Sequence, residues 1–386
     1  MKFLFLKKSL NWPRATGHDV HAYYLAQALA KLGHSIGLAT VHPPDEKALA
    51  GLDLDAGLHS LASNSPSSAI RLSWLQRRFL RYWGIEASWI TATANLVAAI
   101  EPDVVVTAGF DLVPCLAAVH GPTRVWYIAD EYARHHLSIW RPLNPGTWRH
   151  LFEALVAAVY ERAFAKQYDR AWAVSESEAR AMRRIAAAPA ADVVTNGVDS
   201  DWFAPGDEQR MPRSCVFWGR LDARPNIQAV EWFCREIWPA LRRLAPDARF
   251  SIFGFAPGDA MLALARDGVT VAGDLPDLRS EIRKHEVAVM PFVSGGGIKN
   301  KLLEAAALGM PIVASPRACA GLDSSGGLPL AIARSRDQWI DAVNNLWSDR
   351  EKREKLGGDA RAWVLSRHTW KAAATAALAG LQRGAS

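Results

Sequence analysis

Short apolar runs alternate along this chain with longer stretches whose apolar residues recur every third or fourth position. KFLFL (residues 2–6) reads as a buried strand. DVHAYYLAQALAKLGH (19–34) has helical spacing, and SIGLATV (35–41) is a strand again. Further strands are expected at DVVVTAG (103–109), RVWYIAD (124–130) and RAWAVS (170–175), with a long helix over residues 148–169 between the last two. The rhythm pauses at residues 193–214, a stretch rich in Gly, Pro, Asp and Ser that reads as a linker. It resumes with CVFWGR (215–220), a helix over 229–244, and strands at RFSIFGF (249–255), VTVAGDL (269–275), VAVMPF (287–292) and PIVAS (311–315).

Alternation of this kind is the βαβ signature of a parallel sheet. Two arrays joined by a linker predict an α/β chain of two Rossmann-like, doubly wound parallel-sheet domains facing a central cleft. The expected divisions are residues 1–200, residues 201–365, and a C-terminal helix (366–386) crossing back to the first domain. In such sheets ligands bind at the carboxyl ends of the strands, where loops open into helices.

Composition narrows the class. A chain of 386 residues exceeds one ordinary core and suits two domains. A net charge of +6 is a mild basic excess that matters only where it clusters. Cys115, Cys215, Cys234 and Cys319 are far apart with no paired spacing, so reduced thiols are expected rather than disulfides or zinc. Neither a signal-peptide pattern nor a long apolar span is seen, which makes the cytoplasm the expected compartment.

One stretch carries the candidate chemistry: SGGGIKNKLLEAAALG, residues 294–309, directly after an expected strand. Gly295, Gly296 and Gly297 let backbone approach a bulky group, and the helix N-terminus behind them suits an anion. Lys299 and Lys301 add positive charge. Glu304, two turns further in, would repel a phosphate. Its fitting target is neutral and rich in hydroxyls, such as the ribose of a nucleotide. A glycine loop before a helix is common, so the loop alone decides little, and neither the dinucleotide fingerprint nor the phosphate-loop pattern is present.

The ordered series VFWGRLDARPNIQAVEWF, IWPALRRLAPDARFSIFGFAPG, VTVAGDLPDL and PFVSGGGIKNKLLEAAALGMPIVAS closely resembles the nucleotide-sugar-binding half of the GT-B glycosyltransferases, specifically glycosyltransferase family 4. The opening strand, glycine loop and first helix, together with YDRAWAVSESEARAM and TNGVDSDWFAP, are similar to that family's N-terminal landmarks. The resemblance is weakest over residues 42–100, where acceptor-specific variation is usual.

The resemblance implies a retaining transfer of sugar from a nucleoside-diphosphate sugar to an acceptor hydroxyl. It needs no cofactor and no metal, and cell-surface polysaccharide or glycolipid synthesis is the expected setting. It implies that Glu304, the second acid of an E-x7-E motif, holds the ribose, and that Arg220 neutralises the donor diphosphate. The family's partner lysine should lie just downstream. Here that stretch reads ARPN, leaving Arg224 as a weak substitute, with Asn226 beside it. Gly17 matches the glycine whose backbone approaches the diphosphate from the N-terminal domain. Gly273 and Leu275 lie in the loop expected to line the base, and Gly296, Gly297, Ile298, Lys299 and Lys301 form the expected diphosphate turn. Asp130 matches a cleft position near the donor sugar and joins Arg220 and Lys299 as a catalytic candidate, although Asp is also a favoured helix cap. Histidines 135 and 136 follow it as weaker candidates.

The first acid of E-x7-E is replaced by Gly296. A nucleotide-sugar epimerase or hydrolase of the same architecture, or a nucleotide-sugar-binding subunit without turnover, therefore stays open as an alternative. The triplet Asp53-Leu54-Asp55 formally matches a metal motif of another glycosyltransferase fold and reads as coincidence. RLSWLQRRFLRYWG (71–84) sets Trp74, Leu75, Phe79 and Trp83 among arginines. Such a helix can lie on the anionic inner face of a membrane or simply pack on its own domain, and a lipid-linked acceptor fits the first case. No nucleic-acid reader motif is present.

Overall fold

The computed structural model describes residues 1–11, 17–62, 72–128, 132–273, 275–295, 297–322 and 327–383. The chain divides into two compact units: Met1–Thr195 with Trp370–Ser386, and Asn196–Thr369.

Among the described residues, the first unit holds a seven-stranded parallel sheet in the order β3-β2-β1-β4-β5-β6-β7. Its strands are β1 Lys2–Lys7, β2 Ser35–Thr40, β3 Leu58–Ser60, β4 Val104–Ala108, β5 Thr123–Ile128, β6 Arg170–Ala173 and β7 Ala191–Val193. Its helices are α1 Gly17–Lys31, α2 Glu46–Leu49, α3 Trp74–Trp83, α4 Ala87–Ile100, α5 Tyr132–Ile139, α6 Trp148–Phe164 and α7 Glu176–Arg184. Strand β1 shows why the sheet is covered on both sides. Side chains alternate along a strand, so Phe3 and Phe5 enter one core layer while Leu4 and Leu6 enter the other.

Among the described residues, the second unit holds a six-stranded parallel sheet, β10-β9-β8-β11-β12-β13. Its strands are β8 Ser214–Trp218, β9 Arg249–Phe253, β10 Val269–Ala272, β11 Val287–Met290, β12 Ile312–Ala314 and β13 Ala331–Ile332. Helices α8 Arg224–Trp232, α9 Trp238–Leu244, α10 Asp259–Leu262, α11 Leu278–Arg283, α12 Asn300–Ala307, α13 Arg336–Ser348 and α14 Arg350–Arg367 flank it. The last helix, α15 Trp370–Gln382, belongs to the first unit, where Trp370, Ala373, Ala374 and Ala377 pack into the layer that holds Phe3 and Tyr127.

The expected strands are present, and both sheets are doubly wound. The helix expected over 229–244 is interrupted by a π-helical turn, Phe233–Ile237, just before Pro239. Proline has no amide hydrogen to donate one turn back, and the helix widens where that bond is missing. The basic helix packs on its own unit through its apolar side. Phe79 is fully buried against Phe110, Tyr160 and Phe164, so most of the apolar side of α3 faces its own unit. A Ser73–Gln76 capping box fixes its start. Trp74 and Tyr82 remain exposed beside the arginines.

Candidate functional site

In the second unit the chain runs from β8 outward to β10, then crosses back to β11 on the other side of β8. The carboxyl ends of β8 and β11 therefore flank the point where winding reverses, the usual place for a ligand in an open α/β sheet. Strand β8 ends at Trp218, and β11 leads through the glycine turn into α12.

Backbone crowding explains the glycines here. Gly219, Gly254 and Gly273 each follow the last residue of β8, β9 and β10. Gly254 has φ of +149°, and a Cβ on it would lie 1.7 Å from the carbonyl oxygen of Gly219. A Cβ on Gly273 would lie 3.1 Å from Pro257 and 3.4 Å from the Gly254 oxygen. In the turn before α12, Gly295 and Gly297 have φ of 89° and 65°, a left-handed conformation that favours glycine. A Cβ on Gly295 would touch Pro225 at 3.3 Å, so the turn runs against the start of α8.

Four side chains converge at this reversal. Trp218 Nε1 donates to Glu304 Oε2 at 2.7 Å. Lys301 Nζ donates to Asn226 Oδ1 at 2.8 Å, and Asn226 Nδ2 donates to the Arg220 carbonyl at 2.7 Å. The Lys301 ammonium also lies 5.2 Å and 5.1 Å from the ring centroids of Phe217 and Phe292, and that of Lys299 lies 5.3 Å from the Phe292 ring. Lys301 and Glu304 keep some solvent contact, yet protein atoms surround their charged ends. Burial pulls the Lys301 pKa down to about 8, with Lys299 adding to the fall and Glu304 opposing it. Burial pushes the Glu304 carboxyl up, opposed by the Trp218 hydrogen bond and Lys301. The result is a cation and an acid held on one helix face beside the first turn of α12, whose leading N–H groups have no partners within the helix.

The remaining candidates fall around this cluster. Arg220 is half-exposed and paired with Asp222 through two hydrogen bonds. Arg224 is exposed at the first position of α8. Ile298 is buried against Gly321, and Leu275 is half-buried beyond β10. Gly17 opens α1 in the first unit. Asp130 and Gly296 lie outside the described residues. Asp55 accepts the amides of Ile36 and Ala56, which accounts for its carboxylate without a metal role.

Lys301 places an ammonium beside the turn after β8, near the stretch where the resemblance implies a lysine. Its ammonium reaches from α12 to the turn after β8, where a Cβ on Gly219 would lie 2.8 Å from it. Sequence reasoning missed Trp218 as a partner for Glu304, and it missed Gly219 and Gly254. The recurring strand-then-glycine endings VFWG, SIFG and TVAG were the available signal.

The first unit has a reversal of its own, between β1 and β4. Lys7, the last residue of β1, forms a buried ion pair with Asp19 at 2.6 Å. Lys8 is 3.9 Å from Asp111, whose carboxyl burial pushes up. His18 and His21 are neutral: burial lowers their pKa to about 4 and about 3. The His21 ring stacks on Tyr127 at 4.1 Å. None of these groups was singled out from sequence.

Residues 15–202 match the family model described as Glycosyltransferase Family 4, and residues 212–349 match the one described as Glycosyl transferases group 1. The chain is 28% identical over 220 residues to a GDP-mannose-dependent alpha-(1-6)-phosphatidylinositol monomannoside mannosyltransferase of Mycobacterium tuberculosis, a match covering 49% of this chain and 54% of the relative. It thus spans about half the length of the curated relatives it matches. Among solved structures, Anabaena HepE in complex with UDP superposes with a TM-score of 0.68 at 14% identity, covering 99% of this chain and 100% of that one. A glycosyltransferase from Rickettsia africae gives 0.67 at 12% identity, covering 98% and 97%. Sucrose-phosphate synthase from Thermosynechococcus elongatus gives 0.64 at 17% identity, covering 100% and 99%. At these identities the likeness speaks to fold alone.

Proposed function

This chain belongs to glycosyltransferase family 4, the group 1 glycosyltransferases of GT-B fold, and on that premise we propose that it moves a sugar, with retention, from a nucleoside-diphosphate sugar to an acceptor hydroxyl. The observation that carries this reading is the placement of Glu304 and Lys301 on one face of α12, at the winding reversal of the second unit. Glu304, fixed by the Trp218 N–H, offers its carboxylate to the ribose hydroxyls. Lys301, the α12 N-terminus and Arg220 face the diphosphate. As the glycosidic bond breaks, negative charge grows on the leaving diphosphate, and groups already oriented there stabilise it more than they stabilise the bound donor. Lys299 adds charge to the same turn, and Asn226 holds Lys301 in place. Arg224, Gly273 and Leu275 remain assigned to the nucleotide, and Gly17 and Asp130 remain donor-site candidates on the family resemblance alone.

The acceptor belongs to the first unit, with Lys7, Lys8 and Asp111 at its reversal as the polar groups to test. A lipid-linked or glycan acceptor in cell-surface polysaccharide or glycolipid synthesis fits this reading. The name of the mycobacterial relative, a phosphatidylinositol monomannoside mannosyltransferase, supports the lipid option. So does the surface of α6: Trp148, Phe152, Leu155 and Val159 are exposed along one helix face, with Phe152 at 69%. Arg77, Arg78 and Arg81 are exposed on α3, which packs against α6. No helix among the described residues is long and apolar enough to cross a membrane. The proposed mode is therefore peripheral, with apolar side chains dipping into an anionic surface. Phe152→Glu with Leu155→Glu should lower binding to phosphatidylglycerol vesicles by at least about tenfold in a flotation assay. Unchanged flotation would remove the membrane from the account.

The Lys301 pKa gives a second test. Its ammonium is charged below about pH 8 and neutral above. Affinity for UDP or GDP should therefore be full below pH 8 and fall as pH rises, by up to about tenfold per unit. Lys301→Met should bind weakly and lose this slope, and a wild-type profile flat through pH 9.5 would argue against a diphosphate role for Lys301.

The assay for the whole reading measures nucleotide release from UDP- and GDP-sugars, with and without membrane extract. Release that depends on extract is the expected result. Release without any acceptor would favour a hydrolase or epimerase, and tight binding without turnover would favour a non-catalytic subunit.

A further inference from the structure

We propose that His136, His150 and Glu153 form a binding site for a divalent first-row transition-metal ion that ties α5 to α6. The site lies in the first unit and does not depend on the residues to which sugar transfer is assigned above; of its three ligands, His136 was a weaker sequence candidate for the donor site. His136 Nδ1 and His150 Nδ1 are 3.1 Å apart, and Glu153 Oε2 lies 3.1 Å from the first and 3.2 Å from the second. The three donor atoms thus form a nearly equilateral triangle. Metal–ligand bonds of about 2.0–2.2 Å with near-tetrahedral to right-angled geometry put neighbouring donors roughly 2.8–3.6 Å apart, and all three edges fall in that range.

With Glu153 ionised, protons alone do not satisfy this triangle. A carboxylate only accepts, and each Nδ1 either donates or accepts. If both imidazoles carry hydrogen at Nδ1 to serve Glu153, the two N–H groups face each other. If only one does, the other's lone pair faces the carboxylate. Every such arrangement leaves one repulsive edge, whereas a cation at the centre turns all three into attractions.

Two histidines and one carboxylate suit zinc and its first-row neighbours rather than calcium or magnesium. The three side chains are partly buried, with side-chain exposures of 25%, 17% and 38%, so solvent reaches the open side of the triangle and can fill a fourth position. His150 and Glu153 are one turn apart on α6, while His136 comes from α5 across the intervening loop. A bound ion therefore cross-links the two helices. It would hold in register the element that carries the exposed apolar row Trp148, Phe152, Leu155 and Val159.

The test uses the full chain, stripped with chelator, on a Cys234→Ser/Cys319→Ser background that removes its partly exposed thiols. Zn²⁺ and Co²⁺ are titrated by calorimetry and by cobalt visible absorption. One equivalent should bind, and it should raise the melting temperature. His136→Ala and His150→Ala should each weaken binding by roughly 100-fold or more. Glu153→Gln, which keeps the side-chain shape, should weaken it and abolish the metal-dependent rise in melting temperature. Equal affinity in the parent and in Glu153→Gln would overturn the proposal even if the histidine variants misfold. So would the absence of a stoichiometric site in the parent.

Discussion

Glu304→Ala weakens binding of a nucleoside diphosphate by about 10- to 150-fold, the equivalent of one charge-assisted hydrogen-bond set at about 1.5–3 kcal/mol. The carboxylate is preorganised: its Oε2 is already held by Trp218 Nε1 at 2.7 Å, so little ordering remains when ribose arrives. Glu304→Gln keeps the shape and a carbonyl acceptor but removes the charge, and it should fall between alanine and wild type. Trp218→Phe removes only the positioning hydrogen bond, and its loss should be smaller than that of the alanine variant. Calorimetric titration with UDP and GDP measures all three. Wild-type affinity in Glu304→Ala would leave the carboxylate without a ribose to hold.

Gly254→Ala should destabilise the second unit by roughly 4 kcal/mol, at the severe end of single substitutions. The new methyl would meet the Gly219 carbonyl oxygen at 1.7 Å, on a backbone with φ of +149° that a side chain rarely adopts. Neither atom is the end of a flexible side chain, so relief requires the ends of β8 and β9 to part. That movement displaces Gly219 and the Lys301 ammonium beside it, and nucleotide affinity should fall with stability. Gly358→Ala is the opposite control. Gly358 sits exposed in α14 with nothing within 4 Å of an added Cβ, so alanine there should stabilise by about 0.5–1 kcal/mol. Urea denaturation of the two variants compares the signs directly. Wild-type stability in Gly254→Ala would contradict the close packing of the strand ends.

The division between what sequence reveals and what it hides follows from locality. The alternation of buried runs with helical spacing is local, and it located the long strands of both sheets. The short edge strands β3, β7 and β13 have two or three residues each and carry too little pattern to be seen. The glycine turn and Glu304 were legible because their chemistry is written within a few residues. Trp218 was not, because it meets Glu304 across 86 positions of chain. Lys301 was visible as a charge, but its reach to Asn226, 75 positions away, was not. Phe79 shows the same limit from the other side: as periodicity it fits a membrane face, and only the packing of Phe110, Tyr160 and Phe164 around it shows which surface it covers. The metal triangle also joins two helices, and the spacing of His150 and Glu153 alone would not have raised it.

The central claim is that α12 reads a nucleotide: its leading turn takes the diphosphate and Glu304 takes the sugar ring attached to it. A crystal structure of the protein grown with UDP or GDP tests this most directly. The account predicts ribose hydroxyls within about 3 Å of the Glu304 carboxylate, with the diphosphate against residues 297–301. A nucleotide well ordered elsewhere, with Glu304 bonded to Trp218 and no ribose at its carboxylate, would contradict it.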